Sequence, residues 1–384
     1  GFFLAAFFFF AMVNERDTQY LLLTPGPLTT TSSVRAAMMQ EYSTWDVDYN
    51  DIVQSIRTRL VRLVVRENTE LNCYTSVLIP GSGTFAVESV IGSVIPPDGK
   101  LLVLNNGAYG ARITTISRML GIETVELAQL ETELTDLSKV EQMLVEDPAI
   151  SHVAMVHCET TTGMLNPAEA VGEIVRRLGR IYILDAMSSF GGIPLSMKTS
   201  GAHYLISSAN KCVQGVPGFG FVIADRDILE LTKDWARSHS LDLYDQWQEM
   251  ETKGGKWRFT SPTHVVNAFA LALEELDLEG GVQARYNRYL NNQRSLVKGM
   301  YALGFKALID DEFQSPIITS FYYPDLSGFD FKNFYDALKK RGFVIYPGKV
   351  SHAECFRIGT IGDVHQNDIM ELLNNIDEVI GGLK

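Results

Sequence analysis

Between residues 75 and 224 the sequence alternates short apolar runs with segments of helical length, and this alternation restricts the possible folds more than any other feature. The apolar runs have the length and composition of buried strands and lie at residues 75–79, 101–104, 152–157, 182–186, 204–209 and 219–224. The helical segment at 167–179 begins with Pro167 and ends with Gly179, as helices commonly do. Strands that alternate with helices predict an α/β fold with a large, mixed but mostly parallel sheet covered by helices.

The pattern changes after about residue 265. Two long helical stretches come first, and short strand candidates at 317–322, 343–346 and 355–358 then alternate with helices. We therefore expect a large domain over residues 20–275, a smaller C-terminal α+β domain over residues 276–384, and an N-terminal extension over residues 1–19. Residues 1–13 are almost wholly apolar, but this stretch is too short to span a bilayer, so we expect no membrane contact.

Two charged residues stand where two of the predicted strands stop. Asp185 lies at the carboxyl end of one apolar run, and Lys211 directly follows the next. Ligands of open α/β sheets bind outside the carboxyl ends of the strands, so we expect both side chains in one crevice. Pyridoxal 5′-phosphate requires such a pair, a lysine amine for its aldehyde and an acid for its pyridine nitrogen. The alternative is that Asp185 caps a helix and Lys211 is a solvated loop lysine.

A glycine-rich turn joins the first predicted strand to its helix. Residues 80–84 read Pro-Gly-Ser-Gly-Thr, which suits a phosphate because small residues expose backbone amides and the helix start adds positive potential. With Ala86 the turn also fits the Gly-x-Gly-x-x-Ala fingerprint of a nicotinamide dehydrogenase. That alternative requires an acid about 20 positions further on, where Asn105 and Asn106 stand. The turn therefore favours a phosphate group without the dinucleotide.

Two further segments end at the same predicted crevice. Tyr109 begins a helix, where its ring can stack on a cofactor, although a tyrosine buried between helix and sheet fits the position equally well. The threonines at 160–162 follow the strand at 152–157, and their hydroxyls can bond a cofactor or substrate. Threonines are also ordinary turn residues, so this segment by itself decides little.

Charge and cysteine content exclude other classes of protein. The net charge is −13 and no stripe of Lys and Arg is present to neutralise phosphates, so we expect no nucleic-acid partner. The four cysteines are scattered, which is typical of free thiols in a reducing compartment and predicts a cytoplasmic protein. The seven histidines form no ligand pattern, so we expect no metal.

A series of runs, in order from residue 20 to the C-terminal end, resembles the class V aminotransferases, a family of the fold type I pyridoxal phosphate enzymes. Within that family the runs are most similar to transaminases of 2-aminoethylphosphonate and pyruvate. They are LLLTPGPLTT at 21–30, GSGT at 81–84, NGAYG at 106–110, ETTTGMLNP at 159–167, DAMSSFGG at 185–192, SSANKC at 207–212, KWRFTSPTH at 256–264, YPGK at 346–349 and CFRIG at 355–359.

The resemblance implies a role for each matching cofactor residue. Lys211 would hold the cofactor covalently, Asp185 would pair with its pyridine nitrogen, and Tyr109 would stack on its ring. Thr161 would bond the cofactor through its hydroxyl. The residues implied to hold the phosphate are Ser82, Gly83 and Thr84 of one chain and Thr260 of the second subunit of a homodimer.

The resemblance also implies a reaction. The amino group of 2-aminoethylphosphonate would pass to pyruvate, giving phosphonoacetaldehyde and L-alanine in phosphonate catabolism, with Arg357 gripping the substrate's acidic group and Gly26 beside the substrate. An alanine–glyoxylate or serine–pyruvate aminotransferase would use the same cofactor residues and remains the alternative. A cysteine desulfurase shares the fold but carries a histidine directly before the lysine, where this chain has Asn210.

Overall fold

The computed structural model describes residues 18–350 and 352–382, so the apolar stretch at 1–13 and most of the predicted N-terminal extension lie outside the described residues. Numbered along the chain, the strands are β1 (Leu21–Leu22), β2 (Tyr74–Gly81), β3 (Lys100–Asn105), β4 (Glu123–Ala128), β5 (Ile150–Val156), β6 (Cys158–Glu159), β7 (Met164–Leu165), β8 (Ile181–Asp185), β9 (Tyr204–Ser208), β10 (Gly218–Asp225), β11 (Ile318–Tyr322), β12 (Phe343–Val344), β13 (Tyr346–Pro347) and β14 (Cys355–Gly359).

The described helices connect these strands and cover the sheets. They are α1 (Ser32–Ala37), α2 (Val47–Val64), α3 (Gly83–Val94), α4 (Ala108–Met119), α5 (Leu137–Glu146), α6 (Ala168–Arg177), α7 (Met197–Ser200), α8 (Arg226–Glu230), α9 (Leu243–Thr252), α10 (Thr263–Glu279), α11 (Gly281–Ala302), α12 (Phe331–Lys340) and α13 (Gln366–Gly381), with a 3₁₀ helix at Asn68–Cys73. None of the helices within the described ranges combines the length and apolar character needed to cross a membrane.

The main sheet has seven strands in the order β2-β10-β9-β8-β5-β3-β4. Strand β10 runs antiparallel to both of its neighbours, and every other neighbouring pair is parallel. The predicted α/β fold with a mixed, mostly parallel sheet is therefore confirmed. The sequence pattern missed β4, because this edge strand is half-exposed and lacks the continuous apolar run of the inner strands.

Strand β8 lies in the middle of this sheet, between the parallel strands β5 and β9. Its residues Tyr182, Ile183 and Leu184 are all buried, because helices cover both faces of a parallel sheet and leave no face for water. The run therefore reads as continuously apolar until Asp185 ends it. Gly220 in β10 lets the start of α3 approach the sheet, since a Cβ there would lie 2.7 Å from the Cβ of Ala86.

A second apolar cluster forms around the antiparallel sheet β11-β14-β13 and the helices α11, α12 and α13. Strand β1 joins this cluster, because Leu21 pairs in parallel with Phe343 of β12 and the Leu23 side chain is buried there. The segment just before the large sheet thus packs with the C-terminal part of the chain. The division into domains at residues 20 and 275 stays a prediction.

Candidate active site

A cavity of about 290 Å³ lies at the carboxyl ends of β8 and β9, against the first turns of α3 and α4. This is the edge of the sheet where the sequence predicted a ligand. The predicted site residues that line it are Ser82, Gly83, Thr84, Tyr109, Asp185 and Lys211. The other four, Gly26, Thr161, Thr260 and Arg357, do not belong to the lining and are placed one by one below.

The Lys211 side chain faces the cavity along part of its length, while protein atoms surround its amino group. Its Nζ donates a hydrogen bond to the carbonyl oxygen of Pro25, at 2.6 Å. Burial removes water from the ammonium form and lowers the pKa of Lys211 to about 8. Gly26 has φ +118°, and a Cβ there would lie 2.9 Å from Lys211 Nζ, so glycine is required beside the lysine. Lys211 is therefore not a solvated loop lysine.

Asp185 ends β8 with its carboxylate buried. Its Oδ1 accepts a hydrogen bond of 2.9 Å from the backbone N–H of Met187, which lies in a turn and not in a helix. Within the described ranges, Oδ2 has no hydrogen-bond donor. Burial raises the pKa of Asp185 to about 6. A carboxylate with one free oxygen at a cavity fits a protonated heterocyclic nitrogen.

The turn before α3 has the features of an anion site. Ser82 precedes the helix without capping it through its side chain, and the first N–H groups of a helix have no intrahelical partners. Glycine at position 83 allows the Met187 side chain to pack against this turn, because a Cβ there would lie 2.3 Å from the Met187 sulfur. The Thr84 hydroxyl accepts a hydrogen bond from Nη1 of Arg112, at 3.2 Å. The fit to a phosphate group is good.

A buried carboxylate holds the start of α4. Glu159 Oε2 accepts hydrogen bonds from the N–H groups of Tyr109 and Gly110, at 3.2 and 3.3 Å. Its Oε1 accepts from the N–H and the hydroxyl of Thr161. The Thr161 hydroxyl in turn accepts from the N–H of Ala108, at 3.0 Å. Thr161 is thus fully buried beside the helix start, where it fixes the backbone that carries Tyr109.

Arg357 lies in β14 and is 2% exposed. Its Nε donates to the carbonyl oxygen of Pro347 at 2.9 Å and its Nη1 to that of Thr160 at 2.8 Å. Its guanidinium carbon lies 5.0 Å from the ring centre of Tyr346. In the part of the chain that the structure describes, Nη2 has no acceptor and the guanidinium has no carboxylate partner. One edge of the guanidinium is therefore available to an anion.

Two more cations lie near Arg357 that the sequence analysis did not single out. Lys349 Nζ and the guanidinium carbon of Arg112 lie 4.7 and 4.9 Å from the ring centre of Tyr109. Partial burial, together with the positive charges of Arg112 and Arg357, lowers the pKa of Lys349. Arg112 follows Tyr109 by three helical positions and so shares its face, which is the signal that could have found it.

Thr260 lies in a different place from the other predicted residues. It lines a second cavity of about 320 Å³ together with Thr44, Tyr49 and residues 256–259. Within one chain it therefore does not line the Lys211 cavity. The neighbouring Trp45 and Phe259 side chains are 80% and 45% exposed, which is unusual for large apolar groups on a free surface.

The sequence is similar to a known protein family and to enzymes of known activity. The family model described as "Aminotransferase class-V" matches residues 28–353. The 2-aminoethylphosphonate–pyruvate transaminase of Bacillus cereus strain G9842 is 58% identical over 94% of this chain and 98% of its own length. The enzyme of that name from Syntrophobacter fumaroxidans is 59% identical over 93% of this chain and 95% of its own.

Solved structures show the same fold at lower identity. The pyridoxamine–pyruvate aminotransferase of Mesorhizobium loti superposes with a TM-score of 0.85 at 22% identity, covering 96% of this chain and 94% of its own. An alanine–glyoxylate aminotransferase from Nostoc sp. superposes with a TM-score of 0.85 at 23% identity, covering 94% and 95%. The predicted fold type I architecture is confirmed.

The burial of Lys211 gives a first testable prediction. In full-length protein freed of cofactor, we expect acetylation of Lys211 to rise with pH around a midpoint near its pKa of about 8, well below the roughly 10.4 of an ordinary lysine. Pulse labelling across a pH series, read by peptide mass spectrometry, measures this. Lys198 is the control, because its ion pairs with Glu67 and Glu70 raise its pKa. A Lys211 midpoint as high as that of Lys198 would contradict the account.

Proposed function

Because the chain belongs to the class V aminotransferase family, we propose that it transfers the amino group of 2-aminoethylphosphonate to pyruvate, giving phosphonoacetaldehyde and L-alanine. The chain is a pyridoxal phosphate-dependent aminotransferase, as its family and its relatives establish. The observation that carries the choice of substrates is the identity of 56–59% to transaminases of this name, along nearly the whole of both chains.

The alternatives have weaker support. The alanine–glyoxylate aminotransferase among the structural relatives is only 23% identical, and such a likeness speaks for the fold alone. In a nicotinamide dehydrogenase the dinucleotide would bind at the glycine turn of residues 80–84. The buried side chains of Asp185 and Lys211 would then have no role in binding it. Transamination of an amine that carries an acidic group explains the arrangement of most of the site residues.

The residues around the cavity fit the cofactor. When bound, pyridoxal phosphate supplies an aldehyde that accepts the amino group and a ring that draws electrons from the substrate carbon. Asp185 would accept the N–H of the ring nitrogen through its free oxygen and so keep that nitrogen protonated. Tyr109 would pack on the ring, and Ser82, Gly83 and Thr84 would hold the phosphate through their N–H groups and hydroxyls.

Lys211 would be both the anchor and the proton carrier. With a pKa of about 8, roughly a tenth of the Lys211 amine is neutral at pH 7, far more than in an ordinary lysine with a pKa of about 10.4, and only the neutral amine can attack an aldehyde. Once replaced by the substrate's amino group, the same Nζ would take the proton from the carbon that bears that amino group. The carbonyl of Pro25 would keep Nζ beside Gly26, on the side where we place the substrate.

Arg357 and Lys349 would bind the acidic group of each substrate. Arg357 offers a free Nη2 in a planar fork that matches carboxylate and phosphonate oxygens. Burial, together with the positive charges of Arg112 and Arg357, lowers the pKa of Lys349, and no ion pair of Lys349 is present within the described residues. A phosphonate carries up to two negative charges where a carboxylate carries one, so a pair of cations supports the phosphonate as donor.

We infer that the active unit is a homodimer with shared sites. Thr260 lies outside the Lys211 cavity of its own chain, and large apolar side chains next to it are exposed. An isologous interface would cover those side chains and bring Thr260 of each chain to the phosphate site of the other. The large apolar side chains whose exposure in a single chain such an interface would explain are Met39, Trp45, Val47, Phe85 and Phe259.

The choice of amino-group donor tests the proposed function. With pyruvate as acceptor and alanine formation as the readout, we expect 2-aminoethylphosphonate to be a far better donor than serine. The transfer from alanine to glyoxylate, read by glycine formation, should also be far slower. Arg357→Met should lower kcat/KM for the phosphonate about a hundredfold, because a charge-assisted hydrogen bond is lost. The control Arg341→Met, an exposed arginine 3.8 Å from Glu378, should keep wild-type rates. Robust serine–pyruvate activity without turnover of the phosphonate would favour the alternative.

The shared site gives a separate prediction. Thr260→Ala should weaken cofactor binding about tenfold to a hundredfold, the effect of losing one hydrogen bond to a phosphate. Thr252→Ala is the control, because that exposed hydroxyl donates to the carbonyl of Gln248 on its own helix and has no other bond within the described residues. Dimers mixed from Thr260→Ala and Lys211→Ala chains contain one site with both residues intact.

That mixed dimer should bind cofactor at its intact site with wild-type affinity, measured by equilibrium dialysis after subunit exchange has been verified by mass. If affinity does not recover in verified mixed dimers, Thr260 acts within its own chain and the shared-site model is wrong.

A further inference from the structure

Arg112 is a cation that lines the Lys211 cavity without an acidic partner. It lies on α4 and its side chain is half-buried. Its Nη1 donates to the hydroxyl of Thr84 at 3.2 Å, and its guanidinium carbon lies 4.9 Å from the ring centre of Tyr109. Over residues 18–350 and 352–382 it forms no ion pair, and its other N–H groups have no acceptor. The guanidinium thus keeps most of its hydrogen-bonding capacity for a ligand.

The charge of Arg112 acts on the cavity. Burial is the main cause of both pKa shifts in the cavity; the positive charge of Arg112 acts against the rise in the pKa of Asp185 and adds to the fall in the pKa of Lys211. The contact with Thr84 places the guanidinium at the first turn of α3, where the N–H groups of Gly83 and Thr84 have no acceptor within the described residues. Two independent features therefore meet at one point, a half-buried guanidinium without a counter-charge and an open helix start.

The cofactor's charges explain why this point requires a cation. A phosphate monoester brings up to two negative charges, while a helix start supplies only about half a positive charge. Asp185 is engaged by the ring nitrogen under the proposed function, and Lys211 reacts as a neutral amine. Of the charged side chains in the lining, Arg112 alone is left to neutralise the phosphate.

We propose, on the basis of the proposed function, that Arg112 binds the phosphate group of the cofactor together with the N–H groups at the start of α3, using its planar fork. The hydroxyl of Thr84 then orients the guanidinium as well as contacting the phosphate. The competing explanation is that Arg112 only supports Tyr109 through contact with its ring. That explanation predicts the same loss for any ligand that stacks on Tyr109, whether or not it carries a phosphate.

The experiment compares pyridoxal 5′-phosphate with pyridoxal, which has the same ring and aldehyde but no phosphate. Full-length protein is freed of cofactor, and dissociation constants for both compounds are measured by equilibrium dialysis. We expect Arg112→Met to weaken binding of pyridoxal 5′-phosphate about tenfold to a hundredfold and to leave binding of pyridoxal nearly unchanged. Arg112→Lys keeps the charge but not the fork, so its loss should be smaller.

Arg118→Met is the matched control, because Arg118 lies on the same helix, is exposed, and is 3.5 Å from Glu126. It should bind both compounds as wild type does. Equal weakening of both compounds by Arg112→Met, or no weakening of either, overturns the proposal, and the lysine variant decides the matter if the methionine variant does not fold. If wild-type protein binds pyridoxal 5′-phosphate no better than pyridoxal, both the role of Arg112 and the proposed function are wrong.

Discussion

A buried carboxylate with one unsatisfied oxygen is the constraint on which the rest of this site depends. Asp185 is 5% exposed, the N–H of Met187 donates to one of its oxygens, and the other oxygen has no donor within the described residues. A buried polar group without a partner costs roughly 1–3 kcal/mol, more when it is charged. A cationic ring nitrogen would relieve that cost, which supports the proposed role of Asp185. The same burial brings the pKa of Lys211 down to about 8, which supplies the neutral amine that the chemistry requires.

The fold places this pair and then surrounds it with positive charge. The central strands β8 and β9 carry Asp185 and Lys211 to one edge of the sheet, and the buried Glu159 fixes the helix start that presents Tyr109. The chain carries a net charge of −13, yet Arg112, Lys349 and Arg357 have no carboxylate partner in the described residues. A cationic site in an acidic protein is arranged for ligands with several negative charges, and both the cofactor and a phosphonate have them.

The sequence predicted the parts of this structure that depend on local pattern. The continuous apolar runs, their polar ends and the glycine turn before α3 are local features, and the structure has them where the sequence predicted them. The sequence analysis did not predict edge strand β4 or the pairing of Leu21 with Phe343. A half-exposed strand and a two-residue strand show no clear hydrophobic periodicity. Lys349 comes to Tyr109 from a distant part of the chain, so no spacing could have signalled it.

The most direct test of the central claim is where the cofactor is attached. Holoprotein treated with borohydride and then digested should yield a single peptide that carries the reduced pyridoxyl group, and mass spectrometry should place that group on Lys211. The account predicts this result because Lys211 is the lysine that lines the cavity with a lowered pKa. A pyridoxyl group on another lysine, or none at all in yellow holoprotein, would contradict it.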